Sequence, residues 1–356
     1  MDIKTLHLIG SKKMGGAERW FFRFTKALNE NIGVERGIRK GSELCKIKDG
    51  IKTHFLLFKT VWDPISKIQI KRLIKKLSPH IVQTYMGRAT RLTYIPKESG
   101  IIHISRIGGY YKLHSFVHAH AWIGNTKGIC DYLIKNGFPK ERVFLIYNFV
   151  EIPKSLWSKK ELNKKRKELK IAPEDFVILS LGRLIPVKGH EYLIKAFSIL
   201  KERLKRPVKL ILLGDGPLKN RLKDLSISLN VDKQIVFYGW SDEPEIFYEL
   251  CDLVVFPSLK METFGNVVLE AWAYEKPVVC TDFLGAQEIT KDELNVLKAP
   301  CEDPFALAEK IILAIEKEDL RRFIAKNGKE EVLRKFNKEK IISEYIELYK
   351  YLLKLK

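Results

Sequence analysis

The feature that most constrains this chain is the rhythm of its apolar residues. Short runs rich in Val, Ile and Leu recur throughout: IKTLHLIG, KTHFLLF, HIVQTY, IIHIS, AWIGNT and VFLIYN in the first half, then FVILSLG, VKLILLG, QIVFYG, LVVFP and PVVCT. They do not alternate apolar with polar residues, so they suit parallel strands covered by helices on both faces. Between them, segments such as AERWFFRFTKALNE, PISKIQIKRLIKKL and HEYLIKAFSILKERL repeat their apolar residues at helical spacing. This alternation predicts an α/β chain of βαβ units in two blocks.

The rhythm breaks at EIPKSLWSKKELNKKRKELKIAPED, where two prolines and a lysine-rich polar stretch cannot bury a face. That places a boundary near residue 155. Two Rossmann-like, doubly wound parallel-sheet domains are expected, residues 1–155 and 156–337, and a chain of 356 residues is long enough to give each its own core. Residues 338–356 read as a final amphipathic helix with Ile341, Ile342, Tyr345, Ile346, Tyr349 and Leu352 on its apolar side.

Composition narrows the class. Hydrophobic residues at 46% and charged residues at 30% fit a soluble globular protein, and no run approaches the ~18 apolar residues of a membrane span. The start, MDIKTLHLIGSKK, reads as a first strand rather than a signal peptide. The five cysteines are scattered without a CxxC, and Cys251 and Cys280 adjoin apolar runs, which predicts buried, reduced thiols and a cytoplasmic protein. No His, Cys or Asp cluster has ligand spacing, so no metal is expected. Lys and Arg number 64 against 43 acids, a formal charge of +21. Such an excess implies an acidic partner, whether nucleic acid, anionic lipid or a phosphorylated ligand, although a lysine-rich genome produces the same number. A nucleic-acid binder would concentrate the charge in a stripe with stacking aromatics. Here the lysines are dispersed over both halves, and no nucleic acid is expected.

The chemistry gathers where strands of the second block end, which is where doubly wound sheets bind ligands. After FVILSLG come Arg183 and Lys188, two cations suited to a diphosphate, Arg as a planar fork and Lys as a point charge; alone they are also an ordinary solvated loop. VKLILLG leads into the Gly214-Asp215-Gly216 turn. QIVFYG leads to Gly239 and Trp240, which offer backbone groups and a flat ring to a nucleobase, or a residue for packing. LVVFPS leads into METFGNVVLE, where two glutamates frame a Phe-Gly pair. Thr263 is the expected cap of a helix entered at Phe264, Gly265 and Asn266, whose first amides attract anions. Glu262 lies just outside that helix, while Glu270 sits among apolar residues, placed to accept hydrogen bonds from ribose hydroxyls. PVVCT leads to Gly285-Ala286. In the first block Gly15-Gly16 ends a loop directly before a helix, without GxGxxG or Walker spacing.

Taken in order, GRLxxxKG, GDGP, FYGW and PSxxxETFGxxxLEAxAxxxPVV closely resemble the retaining nucleotide-sugar glycosyltransferases of family four, which have the GT-B fold. MGGAER and IYNFV extend the resemblance into the first block. It implies two domains facing a cleft, with the final helix returning to the first. It implies that Arg183 and Lys188 bind the donor diphosphate and that Glu262 lies by the transferred sugar. Phe264, Gly265 and Asn266 would contact that sugar, Glu270 would hold the ribose, and Gly15-Gly16 would approach the phosphates as the cleft closes. The substrate implied is a nucleoside diphosphate sugar (UDP, GDP or ADP) rather than a cofactor, and no general base is evident.

The chain departs from that pattern on the acceptor side. Relatives often carry His or Asp at the end of the fifth strand, where this chain has Ser105 and Arg106, and IYNFV has Phe149 in place of glycine. Arg88, Arg91, Arg106 and Lys112, with nearby tyrosines, suggest an anionic glycan or lipid-linked acceptor, such as a lipopolysaccharide core. PISKIQIKRLIKKL carries Ile65, Ile68, Leu73 and Leu77 among Lys67, Lys71, Lys75 and Lys76. It reads either as a core-packed helix with a solvated lysine face or as a peripheral contact with an anionic membrane. His114, His118 and His120 read as loop and core residues. A nucleotide-sugar epimerase of the same fold is the alternative, but it requires acid/base groups at the sugar ring that the sequence does not display.

Overall fold

The computed structural model describes residues 3–153 and 157–355. Two compact units are present, Met1–Asn148 with Lys338–Lys356, and Phe149–Asn337; the boundary expected near residue 155 lies outside the described residues.

The first unit runs β1 Lys4–Ile9, α1 Gly16–Asn29, β2 Gly33–Arg39, β3 Thr53–Leu56, α2 Pro64–Leu77, β4 Ile81–Tyr85, α3 Met86–Leu92, β5 Ile102–Ile107, β6 Ala121–Gly124, α4 Lys127–Lys135 and β7 Val143–Leu145. Its strands form one parallel sheet in the order β3-β2-β1-β4-β5-β6-β7. The second unit runs α5 Lys159–Glu168, β8 Phe176–Leu181, α6 His190–Arg203, β9 Val208–Leu213, α7 Lys219–Ser228, β10 Ile235–Gly239, α8 Glu245–Leu250, β11 Leu253–Phe256, α9 Asn266–Ala273, β12 Val278–Thr281, α10 Leu284–Ile289, β13 Leu297–Ala299, α11 Pro304–Glu316 and α12 Glu318–Lys335. Its sheet, also parallel, has the order β10-β9-β8-β11-β12-β13. The strand order turns back beside β1 and beside β8, which fixes where each sheet opens for a ligand.

The non-alternating apolar runs have their reason in burial: every residue of β4, β5, β6, β8, β11 and β12 is buried. Strand β2, GVERGIR, departs from that rule because Arg36 lies wholly inside. Its guanidinium forks onto Asp49 at 2.7 and 2.8 Å, and it donates to Thr25 Oγ1 at 2.6 Å and to the Phe22 carbonyl at 3.1 Å. A buried cation is tolerable when its donors are met in this way.

The last helix, α13 Lys338–Lys354, belongs to the first unit. Tyr345 OH accepts from Arg106 Nε at 3.0 Å, and Tyr349 OH donates to Gln83 Oε1 at 2.7 Å. Its buried side includes Leu348, while Ile346 is only half-buried. Burial pushes the Cys251 thiol up to about 12 and the Cys280 thiol further still, so neither is reactive. His118 and His120 hydrogen-bond the carbonyls of Thr90, Thr93 and Ile95, and His114 is exposed.

His7 in β1 is wholly buried between Tyr85 OH and Thr5 Oγ1, each at 3.0 Å. Burial, and then the charge of Arg36, push it down to about 3. An unfolded histidine takes its proton near pH ~6.5, so the stability from burying neutral His7 is full above that value. It is lost as pH falls from there toward 3, because only the unfolded chain takes up the proton. Urea unfolding followed between neutral pH and pH ~5 should show a falling midpoint, and His7→Gln, which cannot take up a proton, should flatten that fall.

Candidate active site

In the second unit the segments following adjacent strands are stitched together by backbone hydrogen bonds. Gly214 N donates to Gly239 O at 2.7 Å, joining the tips of β9 and β10, and Gly182 N donates to Leu213 O at 3.0 Å, joining β8 to β9. Leu259 N donates to Val187 O at 2.8 Å, tying the segment after β11 to that after β8, and Gly285 N donates to Glu262 O at 3.2 Å, tying in the segment after β12. The carboxyl edge of this sheet is therefore one connected surface, and its side chains are held in register by main chain.

On that surface Lys188 Nζ donates to Glu262 Oε2 at 2.7 Å, with the two side chains 20% and 15% exposed. The ammonium also lies over the Phe256 ring, 5.0 Å from its centroid. Partial desolvation strengthens such a pair relative to one in open water. Gly189 closes the Lys188 turn at φ +64°, and a Cβ there would lie 1.9 Å from the Pro257 carbonyl oxygen, so only glycine lets the two segments meet. Directly behind, His190 is buried, and burial followed by the charge of Lys188 pushes it down to about 3. Neither the sequence motifs nor their spacing singled out His190 or Phe256.

The start of α9 differs from expectation. The N-cap is Gly265, at φ +81°, two residues beyond the expected Thr263. A Cβ on Gly265 would lie 2.7 Å from the Phe283 ring. The reason is close packing of the helix entrance against the segment after β12, which leaves no room for a side chain at that point. A helix start turns backbone N–H groups outward that suit an anion or a ligand oxygen, and here Val268 N is spent on the Gly265 carbonyl at 2.9 Å; Phe264 is buried and Asn266 half-buried beside them.

One turn further along α9, Glu270 is half-buried and accepts from Tyr248 OH at 3.0 Å. Tyr248, itself buried and stacked on Tyr274, orients that carboxylate. Arg183 is exposed just after β8, so its guanidinium can reach a ligand. Trp240 is 45% exposed, and its Nε1 donates to Asp242 at 3.0 Å, which holds the ring at the tip of β10 beside Gly239. The structure thus brings Lys188 and Glu262 into contact, and places Arg183, Gly239, Trp240, Phe264, Gly265, Asn266 and Glu270 on segments at the same sheet edge.

In the first unit Gly15 caps α1 and Gly16 begins it. Arg88 is turned inward, its Nη1 donating to the carbonyls of Gly10 at 2.8 Å and Phe58 at 3.4 Å. That explains its place after β4 by loop support. Arg106 ends β5 buried, donating to Tyr345 and to Asn148 Oδ1, with its guanidinium 4.7 Å from the Trp20 ring centroid. Among the described residues no carboxylate forms an ion pair with it. Among the described residues, too, no group of three or more His, Cys, Asp or Glu side chains is placed to hold a metal ion.

Two parallel sheets of this order, each with its covering helices, have the architecture of the GT-B fold. Residues 162–331 match the model of the glycosyl transferases group 1 family. The chain is 31% identical over 348 residues to the lipopolysaccharide core biosynthesis glycosyltransferase LpsE of Rhizobium meliloti (strain 1021), covering 94% of this chain and 96% of that protein. Among solved structures, a glycosyltransferase from Rickettsia africae ESF-5 superimposes with a TM-score of 0.86 at 21% identity, with full coverage of both chains. HepE of Anabaena, in complex with UDP-glucose, gives 0.86 at 22% identity, covering 98% of this chain and all of that one. This chain belongs to the glycosyl transferases group 1 family and is a glycosyltransferase.

Gly189→Ala should cost at least about 2 kcal/mol, because backbone must move to admit the methyl group. Gly137→Ala, at φ +88° but with nothing within 4 Å, should cost only about 1 kcal/mol. Chemical denaturation of the two variants gives the comparison directly.

Proposed function

We propose that this glycosyltransferase moves a hexose-type sugar from a nucleoside diphosphate to an anionic glycan or lipid-linked acceptor, with the anomeric configuration retained, on the cytoplasmic side in lipopolysaccharide or other cell-surface polysaccharide synthesis. The observation that carries the donor assignment is the Lys188–Glu262 pair at 2.7 Å, held at a sheet edge beside the glycine-capped start of α9. Departure of the nucleoside diphosphate builds negative charge. Lys188, Arg183 and the amides at the entrance of α9 are assigned to meet that charge. Glu262 neutralises Lys188 before the donor arrives. As the ammonium turns to the diphosphate, the carboxylate is released to accept hydrogen bonds from hydroxyls of the transferred sugar.

Glu270, oriented by Tyr248, is assigned the ribose hydroxyls, and Trp240 with Gly239 the base. The acceptor side is assigned to the first unit, where buried Arg106 braces Tyr345 and Asn148 and so supports that side rather than facing an acidic group itself. Similarity to LpsE supports the lipopolysaccharide reading, and the UDP-glucose held by HepE makes a UDP-hexose the first donor to try. No side chain is assigned as a general base; the acceptor proton passes to the departing phosphate oxygen.

Turnover with a panel of UDP-, GDP- and ADP-sugars tests the proposal. Arg183→Ala, Lys188→Ala and Glu262→Gln should each lower turnover by about 100- to 1,000-fold, with thermal unfolding unchanged for the exposed Arg183. Proton NMR of the product should show the donor's anomeric configuration. An inverted product contradicts retention, and wild-type rates in all three variants contradict the donor site.

A further inference from the structure

Helix α2 carries two apolar sets, and the fold uses only one of them. Ser66, Ile70, Leu73 and Ile74 face the core. At about 100° per residue these centre on one side of the helix, and the opposite side centres on Ile68, flanked by Lys71, Arg72 and Lys75. Ile68 is 50% exposed, Ile65 is 51% exposed, and Trp62, just before the helix, is 66% exposed. Core packing of the lysine-rich helix is thus observed, yet it leaves these three large apolar side chains unexplained.

Their direction is fixed rather than incidental. The Asp63 carboxylate caps the helix through Ile65 N and accepts from Ser66 Oγ at 2.6 Å, while Ser66 Oγ accepts from Phe58 N at 2.7 Å. Trp62 has one ring face covered by the Arg91 guanidinium, 3.6 Å from its centroid. From Pro64 to Leu77 the helix contains no acid; its only charges are Lys67, Lys71, Arg72, Lys75 and Lys76, all exposed. None of these five forms an ion pair among the described residues.

We propose that the outward face of α2, with Trp62, is the surface by which this chain lies on an anionic lipid bilayer. Trp62, Ile65 and Ile68 enter the headgroup region, and the surrounding cations meet lipid phosphates. The charge argues for this occupant: a second copy would set like charges against like. The shape agrees, since apolar side chains projecting from a convex, basic helix suit a fluid anionic surface. Tryptophan suits the headgroup level, and lysine stems reach outward from it. The inference does not depend on the donor or acceptor assigned above.

Flotation of the full chain with vesicles of phosphatidylcholine containing one third phosphatidylglycerol tests it. The chain should float with these vesicles, float poorly with phosphatidylcholine alone, and be released by high salt. Ile68→Glu should lower the partition coefficient about tenfold or more, and Lys71→Ala about fivefold. Both positions face solvent, so melting temperatures and hydrolysis of soluble donor should stay at wild-type values. Failure of the wild type to float, or equal flotation by an Ile65→Glu/Ile68→Glu variant, overturns the proposal. So does concentration-dependent dimerisation in light scattering that Ile68→Glu abolishes, because the face then serves a second copy.

Discussion

Lys188 and Glu262 are 74 residues apart in the chain and 2.7 Å apart in the fold. Bringing them together requires that the segments after β8 and β11 run side by side, and β8 pairs directly with β11 at the turning point of the strand order. Gly189 against the Pro257 carbonyl then sets how closely those segments approach. The cation is largely shielded from water over Phe256, which makes its partner matter: without Glu262 it would face low-dielectric walls alone. On the proposed reading, a donor diphosphate meets a cation already held at this edge, which has only to turn from Glu262.

The same logic extends along the edge. Main-chain hydrogen bonds from Gly239 through Gly214 and Gly182, and from Val187 through Leu259 and Glu262 to Gly285, make the loops a continuation of the sheet. Loops so tied resist the mobility that usually comes with surface position. The first unit spends its polar strand ends differently. Arg88 supports carbonyls there, and Arg106 braces Asn148 and the final helix.

Much of the fold was legible because parallel strands buried on both faces are mostly apolar; even β4 and β5, which bury Gln83, Thr84, His103, Ser105 and Arg106, keep enough Ile and Val to show. Strands β8, β9, β11 and β12 all read directly from their apolar runs. Strand β2 did not, because GVERGIR places Glu35 and Arg36 where a buried strand should be apolar, and only the fork onto Asp49 explains it. Strand β13, LKA, is too short to show a pattern. The candidate site residues stood out in the sequence through glycine-rich turns in a fixed order. Their pairings did not: Tyr248 with Glu270, His190 behind Lys188, and Gly265 rather than Thr263 at the helix start all depend on packing between distant segments. The inward turn of Arg88 was equally hidden, since a cation after a strand looks the same whether it meets a ligand or a carbonyl.

Calorimetric titration of uridine diphosphate into the wild type, Lys188→Ala, Glu262→Gln and the double variant tests the central claim most directly. If Lys188 is the diphosphate's cation and Glu262 its resting counterion, affinity falls in Lys188→Ala and holds or rises in Glu262→Gln. The Glu262 substitution should then have no further effect once Lys188 is gone. Equal affinity in all four proteins would show that this pair serves the fold alone and that the donor binds elsewhere.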